Sequence, residues 1–244
     1  MIPHIIHYCW FGSGPKPELV KRCIASWREF FPGWQIMEWT EKNFDIAQCP
    51  YSKGAYLSKK WAFVSDYARF KILEKYGGIY FDTDVELLKR IPDKIFEHQA
   101  FTGVESCSNL VSPGLLFACE PDNFFVKEMV RIYEKESWDE KHLKTVNEII
   151  TELLCKHGYV CNGAYQEVKG LAIYEAEIFS GYDLLVDEEV ITDKTISVHH
   201  YASSWKKTGP KRKIQRIVKW LIGIENYRRL LFLKQKILPR RKSG

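Results

Sequence analysis

The sequence predicts one α/β domain with a mostly parallel central sheet flanked by helices, followed by a basic helical tail. Residues 2–11 and 34–39 have the composition of strands, and the intervening residues 18–30 form a helical pattern. Strand, helix and strand in this spacing imply a parallel sheet with helices on its faces. A second helix and strand follow within residues 61–84, and a length of 244 residues suits one such domain plus a tail.

The stretch of residues 61–84 contains the most informative pattern in the chain. Its apolar side chains recur at separations of three, four or one, which is helical periodicity: Trp61, Val64, Ala68, Ile72, Leu73 and Tyr76. We expect Gly77 and Gly78 to end this helix with a left-handed cap, because glycine takes a positive φ without steric cost. Residues 79–81 then read as a short strand.

Two aspartates, Asp82 and Asp84, follow this strand. In an extended backbone they point to the same side, because side chains alternate with a period of two. Two such carboxylates repel each other, and burial raises the cost unless a cation lies between them. Mg²⁺ and Mn²⁺ accept one or two protein carboxylates and fill their other positions with water and phosphate. The pattern favours a diphosphate site, with a simple acidic turn as the alternative.

Four motifs in order resemble one enzyme family: IPHIIHYCWFG, SDYAR, YGGIYFDTDV and HHYASSW. They resemble the glycosyltransferases that carry a DXD sugar-binding region, which include bacterial capsular-polysaccharide and lipopolysaccharide sugar transferases and yeast mannosyltransferases. The glucosylating clostridial toxins are more distantly similar. The resemblance covers residues 2 to about 205 and implies a GT-A type nucleotide-sugar-binding domain over residues 1–205, with retaining hexosyl transfer as its activity.

The resemblance also implies roles for residues outside the aspartate pair. Trp10 is expected against the nucleotide base and Tyr80 near the nucleotide, although core packing is the alternative for both side chains. Asp66 is expected to accept hydrogen bonds from sugar hydroxyls, and Arg69 to hold the sugar or the phosphate. An ordinary ion pair across one helix turn is the alternative for Asp66 and Arg69.

The late motif HHYASSW is expected to return to the metal. By the resemblance, His200 binds Mn²⁺ or Mg²⁺ together with Asp82 and Asp84, and His199 is the fallback ligand. Ser203 and Trp205 are expected to close over the phosphates. Relatives often carry an asparagine in a turn near the strand at residues 115–119, but this chain has Ser112, Pro113 and Gly114 there. That difference leaves the acceptor side undefined.

Seven cysteines without a C-x-x-C pair predict free thiols in a reducing compartment. The sequence shows neither a signal-peptide pattern nor a run of roughly 20 apolar residues. With the resemblance, these observations imply a cytoplasmic enzyme at the inner face of the cell membrane. Its expected partners are a UDP- or GDP-sugar and a glycan or lipid-linked saccharide acceptor.

The tail, residues 206–244, holds fourteen Lys and Arg against one Glu and therefore has a charge of +13, whereas residues 1–205 carry −8. Ile214, Ile217, Val218, Leu221 and Ile222 form an apolar stripe among its basic residues. Such a stripe suits the headgroup region of an anionic membrane, and packing against the acidic domain is the alternative.

Two other function classes compete with the transferase. A metal phosphohydrolase also uses paired carboxylates, but it usually needs more ligands or an evident activator of water. Nucleic-acid binding is disfavoured, because the basic residues lie at one end and the rest of the chain is acidic.

Overall fold

The computed structural model describes residues 1–202 and, beyond them, Gly223, Asn226, Tyr227, Arg229 and Leu231. Ser203, Trp205 and the other residues of the predicted tail lie outside the described residues. The strands are β1 (Ile5–Cys9), β2 (Gln35–Trp39), β3 (Gly78–Tyr80), β4 (Val85–Leu87), β5 (Ala100–Gly103), β6 (Phe117–Cys119), β7 (Gln166–Val168), β8 (Leu171–Tyr174), β9 (Tyr182–Asp183), β10 (Glu188–Glu189) and β11 (Ser197–His199). The α-helices are α1 (Glu18–Phe30), α2 (Pro50–Leu57), α3 (Trp61–Tyr76), α4 (Phe124–Lys135), α5 (Val146–Cys155) and α6 (Ala176–Phe179).

Seven strands form the central sheet, in the order β2-β1-β3-β6-β5-β8-β7. The predicted β1–α1–β2 unit is confirmed, since β1 pairs in parallel with β2 and also with β3. The prediction of a mostly parallel sheet is wrong in detail: β6 is antiparallel to both its neighbours, and so is β7 to β8. The chain turns back from β5 into β6 without a helix, and an antiparallel pair needs no crossover.

Five strands of this mixed sheet nevertheless run in one direction. The pairings place β2, β1, β3, β5 and β8 parallel to one another, with β6 and β7 opposed. Their carboxyl ends therefore meet at one edge, which is where ligands bind in open α/β sheets. Asp82 follows β3 at this edge.

The sheet is buried on both faces, which explains why its strands read as continuous apolar runs. Ile79 and Phe81 pack in the cluster that contains Trp27 of α1, whereas Tyr80 packs in the cluster with α2, α3, α4 and α5. Trp27 and Phe81 stack with ring centroids 5.3 Å apart. Helix α1 therefore covers one face and the other long helices cover the opposite face.

The long helices begin and end close to where their periodicity predicts. The bounds of α1 and α3 match the helices predicted at residues 18–30 and before Gly77. Asn123 caps α4, and Thr145 with Glu148 forms a capping box on α5. Helix α2 was not predicted.

Two small antiparallel sheets stand beside the main one, pairing β4 with β11 and β9 with β10. All seven cysteines are free thiols, and four of them are buried. Among the described helices, none is long and apolar enough to cross a bilayer.

Candidate active site

The glycine pair after α3 directs the chain into β3 and towards the site. Gly77 has φ 59° and ψ −152°, so its φ is positive as expected but its ψ is not that of a left-handed helix. A Cβ on Gly77 would lie 2.7 Å from the Pro121 ring, and one on Gly78 would lie 2.5 Å from the Ile5 carbonyl oxygen. Both positions therefore require glycine, and β3 can pack directly beside β1.

Asp82 belongs to a buried network at the carboxyl end of β3. Its Oδ1 lies 3.2 Å from Arg69 Nη2 and accepts a 3.1 Å hydrogen bond from the Tyr80 hydroxyl. Its backbone N–H donates to the Gly114 carbonyl oxygen at 3.0 Å. A Cβ on Gly114 would lie 2.1 Å from Asp82 Oδ2, so only glycine allows this approach.

Arg69 connects Asp82 to Asp66. Arg69 Nη2 donates to Asp66 Oδ1 at 2.8 Å, and the guanidinium lies 4.8 Å from the centre of the Tyr80 ring. Arg69 is 3% exposed and Asp66 is 7% exposed, so this is a buried network and not the surface ion pair weighed as the alternative. Burial raises the pKa of Asp66 to about 7, with the Asp82 charge adding to the rise and Arg69 opposing it.

Asp84 has entirely different partners. The Val85 N–H donates to the Asp82 carbonyl oxygen at 3.1 Å, so these residues form a turn and the predicted extended geometry is wrong. Asp84 contacts His199 Nε2 at 2.9 Å through Oδ1 and accepts from the Ala202 N–H at 2.9 Å through Oδ2. Burial opposes ionisation, but His199 and the Ala202 bond outweigh it and lower the pKa of Asp84 to about 2.

The two adjacent histidines point to different carboxylates. His199 contacts Asp84, whereas His200 contacts Glu86 at 2.8 Å and Glu189 at 3.1 Å through its two ring nitrogens. The His200 N–H donates to the Asp84 carbonyl oxygen at 3.0 Å, but the His200 imidazole contacts Glu86 and Glu189 instead of the Asp84 carboxylate. Strand β11 pairs with β4 so that His199 lies opposite Val85, and successive strand residues face opposite sides. The fallback residue, His199, is therefore the histidine at the aspartate pair.

Trp10 lies at the same sheet edge, one residue beyond β1. Its indole N–H donates to the Gly14 carbonyl oxygen at 2.7 Å, and Lys16 Nζ lies 5.7 Å from the ring centre. The side chain is partly buried, whereas Trp39 at the end of β2 is in the core and donates to His7. Tyr80 is 1% exposed, yet its hydroxyl reaches Asp82.

The site residues fit a divalent cation together with an anionic ligand. Among the described residues, Asp66 and Asp82 share Arg69, and Asp84 has only His199 as a partner of opposite charge, so carboxylates outnumber permanent cations there. Six buried side-chain polar atoms have no partner within the described chain, and three of them belong to this site: Arg69 Nη1, His199 Nδ1 and the Tyr201 hydroxyl. Among residues 1–202, no three His, Cys, Asp or Glu side chains form a metal cage. The set suits an ion that takes few protein ligands and fills its shell with phosphate and water.

Sequence reasoning missed two residues of this cluster. Tyr201 stacks on His199 with ring centroids 4.0 Å apart, and it lies within HHYASSW, so the motif itself could have indicated it. Gly114 belongs to the turn noted only for lacking an asparagine. No local signal indicates its approach to Asp82, because that contact depends on how β6 pairs with β3.

Comparison with known proteins identifies the enzyme class. Residues 17–102 match the family model described as "Glycosyltransferase sugar-binding region containing DXD motif", and this span includes Asp82 and Asp84. No curated protein sequence matched the chain.

Two solved structures are similar in part. "PaToxG Glycosyltransferase" has 18% identity and a TM-score of 0.46, over 64% of this chain and 69% of that one. "Crystal structure of a glycosyltransferase involved in the glycosylation of the major capsid of PBCV-1" has 11% identity and a TM-score of 0.49, over 82% of this chain and 95% of that one. The classification therefore rests on the sequence match: the chain carries the DXD-containing glycosyltransferase sugar-binding region and is a glycosyltransferase.

Proposed function

We propose that this glycosyltransferase is metal-dependent and retaining, and that it moves a hexosyl group from a UDP- or GDP-sugar to a growing surface glycan or lipid-linked saccharide. Synthesis of capsule, lipopolysaccharide or exopolysaccharide is the setting. The observation that carries the proposal is the buried Asp66–Arg69–Asp82 network beside Asp84 at the carboxyl edge of the sheet.

Asp82 and Asp84 are the residues that hold Mn²⁺ or Mg²⁺ in this proposal. His199 replaces His200 as the nearest imidazole, because it already contacts Asp84. When bound, the ion supplies Lewis-acid stabilisation of the leaving diphosphate. We also propose, as the resemblance implies, that Ser203 and Trp205 close over the phosphates.

The remaining groups bind and orient the donor. Arg69 Nη1 is a buried donor without a partner in the described chain, and it is suited to stabilise charge on the leaving phosphate. In this proposal Asp66 accepts hydrogen bonds from sugar hydroxyls, and Trp10 and Tyr80 offer aromatic surfaces for the nucleotide.

Retention of configuration is what the resemblance implies, and the state of the carboxylates favours same-face attack over a covalent intermediate. Asp66, Asp82 and Asp84 are each engaged by Arg69 or His199, so none is an evident nucleophile of the kind that retaining glycosidases use. In the proposed step, the acceptor oxygen bonds to sugar C1 on the face from which the diphosphate leaves. The bond from C1 to the diphosphate oxygen breaks, and that oxygen receives the acceptor's proton.

The test is incubation of the protein with UDP- and GDP-hexoses, with and without Mn²⁺, and analysis of the products. We expect slow, metal-dependent release of free hexose and nucleoside diphosphate from one donor. Release of inorganic phosphate, or cleavage of a generic phosphoester, would indicate a phosphohydrolase instead. Thermal shift identifies the donor, since a ligand at one hundred times its Kd stabilises the fold by about 2.7 kcal/mol.

A further inference from the structure

We propose that Glu105 and Asn147 form the subsite for the acceptor sugar, and that this subsite selects an uncharged sugar with free hydroxyl groups. The inference rests on the proposed function and names the acceptor class that the proposal leaves open.

The order of the strands places Glu105 on the side of the site away from the nucleotide. Trp10 follows β1, Asp82 follows β3, and Glu105 lies two residues beyond the end of β5. Only β6 separates β3 from β5, so the two strands lie two sheet spacings apart, about 10 Å. With the nucleotide on the Trp10 side, the Glu105 side is left for the second substrate.

The turn at residues 112–114 connects this subsite to the aspartates. The Gly114 carbonyl oxygen accepts from the Asp82 N–H at 3.0 Å, and the Ser112 N–H donates to the Gly103 carbonyl oxygen at 2.9 Å. Asn147 of α5 donates through Nδ2 to Glu105 Oε2 at 3.0 Å and to Ser112 Oγ at 3.3 Å. One turn therefore contacts both Asp82 and Asn147, and Asn147 in turn holds Glu105.

The chemistry of Glu105 suits a polyol. Its Oε1 accepts a 2.6 Å hydrogen bond from the Ser108 hydroxyl, so both side chains that bond it in the described chain, Ser108 and Asn147, are neutral. A carboxylate has about four lone-pair positions, which leaves two for sugar hydroxyls. An acceptor bearing a carboxylate or phosphate at this point would meet a like charge, which costs affinity.

Two buried polar atoms on the aspartate side lack partners in the described chain. His199 is 8% exposed and its Nδ1 is unbonded, as is the buried Tyr201 hydroxyl. Burial lowers the pKa of His199, and the charges of Asp84, Asp82 and Glu105 together outweigh it and raise that pKa; burial and then the Glu105 charge raise the pKa of Tyr201. A hydroxyl-rich ligand between Asp84 and Glu105 can bond to these atoms and to the carboxylate at once.

The test measures sugar binding by saturation-transfer NMR in the presence of Mg²⁺ and UDP or GDP. The probes are methyl hexosides and the matching methyl uronates. In the wild type, we expect one neutral hexoside to bind at least about tenfold more tightly than its uronate. Glu105→Gln removes the charge and keeps the shape, so this preference should fall to nearly one. Glu29→Gln alters an exposed glutamate on α1 and should keep the wild-type preference.

Three results would overturn the inference: a uronate that binds the wild type as well as its hexoside, a preference that survives Glu105→Gln, or no binding of any neutral hexoside. If Glu105→Gln does not fold, Asn147→Ala is the test variant. It removes the hydrogen bond that holds Glu105 and should weaken hexoside binding about tenfold. Signals from UDP and GDP in the same samples distinguish failure of the acceptor inference from failure of the proposed function. If neither nucleotide binds, the proposed function fails as well; if one binds, only the acceptor inference fails.

Discussion

His7 shows how one buried residue fixes its own protonation state. The ring is fully buried, its Nε2 donates to the Gly77 carbonyl oxygen at 3.0 Å, and its Nδ1 accepts from the Trp39 indole N–H at 3.1 Å. A second proton on Nδ1 would remove the acceptor that Trp39 uses. Burial lowers the pKa of His7 to about 4, against the opposing bond to Gly77.

This depressed pKa makes folding stability sensitive to acid. As the pH falls below 6.5, the unfolded chain takes up a proton on His7 before the folded one does, so stability is full above that pH and is lost towards pH 4. We expect His7 to account for a loss of about 2 kcal/mol between pH of about 7.5 and about 5. Denaturant unfolding of the wild type and of His7→Gln at both pH values measures this loss of stability.

The variant should lose less stability than the wild type over this interval, by about that amount. His4→Gln, which alters an exposed histidine, is the control and should respond to pH like the wild type. Parallel pH profiles for wild type and His7→Gln would show that His7 does not titrate in this way.

The histidine pair shows what sequence reasoning cannot resolve at this scale. The motif predicts that a histidine reaches the aspartates, and His199 does so. Which of the two neighbours faces them depends on the register of β11 against β4. A slip of one residue would exchange His199 for His200, and nothing local in HHYASSW fixes that register.

At the scale of elements, the glycine pair between α3 and β3 determines where Asp82 lies. Gly78 has φ 90°, and an added Cβ would lie 2.5 Å from a backbone oxygen that cannot move without disturbing β1. Gly158 has φ 98°, but no atom lies within 4 Å of its Cβ position. The two glycines therefore share backbone strain and differ in crowding.

We expect Gly78→Ala to lower the free energy of unfolding by about 3 kcal/mol, from the positive φ and the clash together. Gly158→Ala should lose only about 1 kcal/mol, because only the φ penalty applies. Chemical denaturation of both variants measures the difference. Equal losses would mean that the contact with the Ile5 carbonyl oxygen is unimportant.

Elements with strong local signals are predictable, and those made by tertiary contact are not. Helices α1, α3 and α4 follow their apolar periodicity, and Asn123 caps α4. Helix α2 contains Gly54, and glycine has a low helix propensity. The Cβ position of Gly54 is only 2.3 Å from Trp138, so a distant segment of the chain packs closely against this helix. The strands β9 and β10 have two residues each, too few for any periodicity.

At the scale of the molecule, the sequence predicts the direction of most strands but not their order. The prediction of a mostly parallel sheet followed from the first βαβ unit. Strand β6 enters between β3 and β5 with opposite direction, and its short apolar run has no signal that specifies a neighbour. This insertion brings Gly114 to Asp82 and places Glu105 beyond them, so the acceptor side could not be predicted.

The charge division of the chain leads to a prediction for its tail. The tail at +13 follows an acidic remainder at −8. Each basic residue near an anionic membrane surface contributes about 1 kcal/mol, so a few engaged residues suffice to hold the enzyme there. We expect the intact chain to co-sediment with anionic vesicles but not with neutral ones, and a version ending at Lys207 with neither. Equal binding of both versions to anionic vesicles, or none by either, would contradict the membrane role.

The most direct test of the donor site is calorimetric titration of UDP and GDP, with and without Mn²⁺, into four proteins. The wild type should bind one nucleotide only when Mn²⁺ is present. Asp82→Asn and Asp84→Asn should each lose at least about tenfold in that affinity, since each removes a charge that holds the ion. His200→Asn should bind nearly as the wild type does, because His200 faces Glu86 and Glu189. Metal-independent binding, or wild-type affinity in both aspartate variants, would contradict the assignment of Asp82 and Asp84 as the metal and diphosphate site.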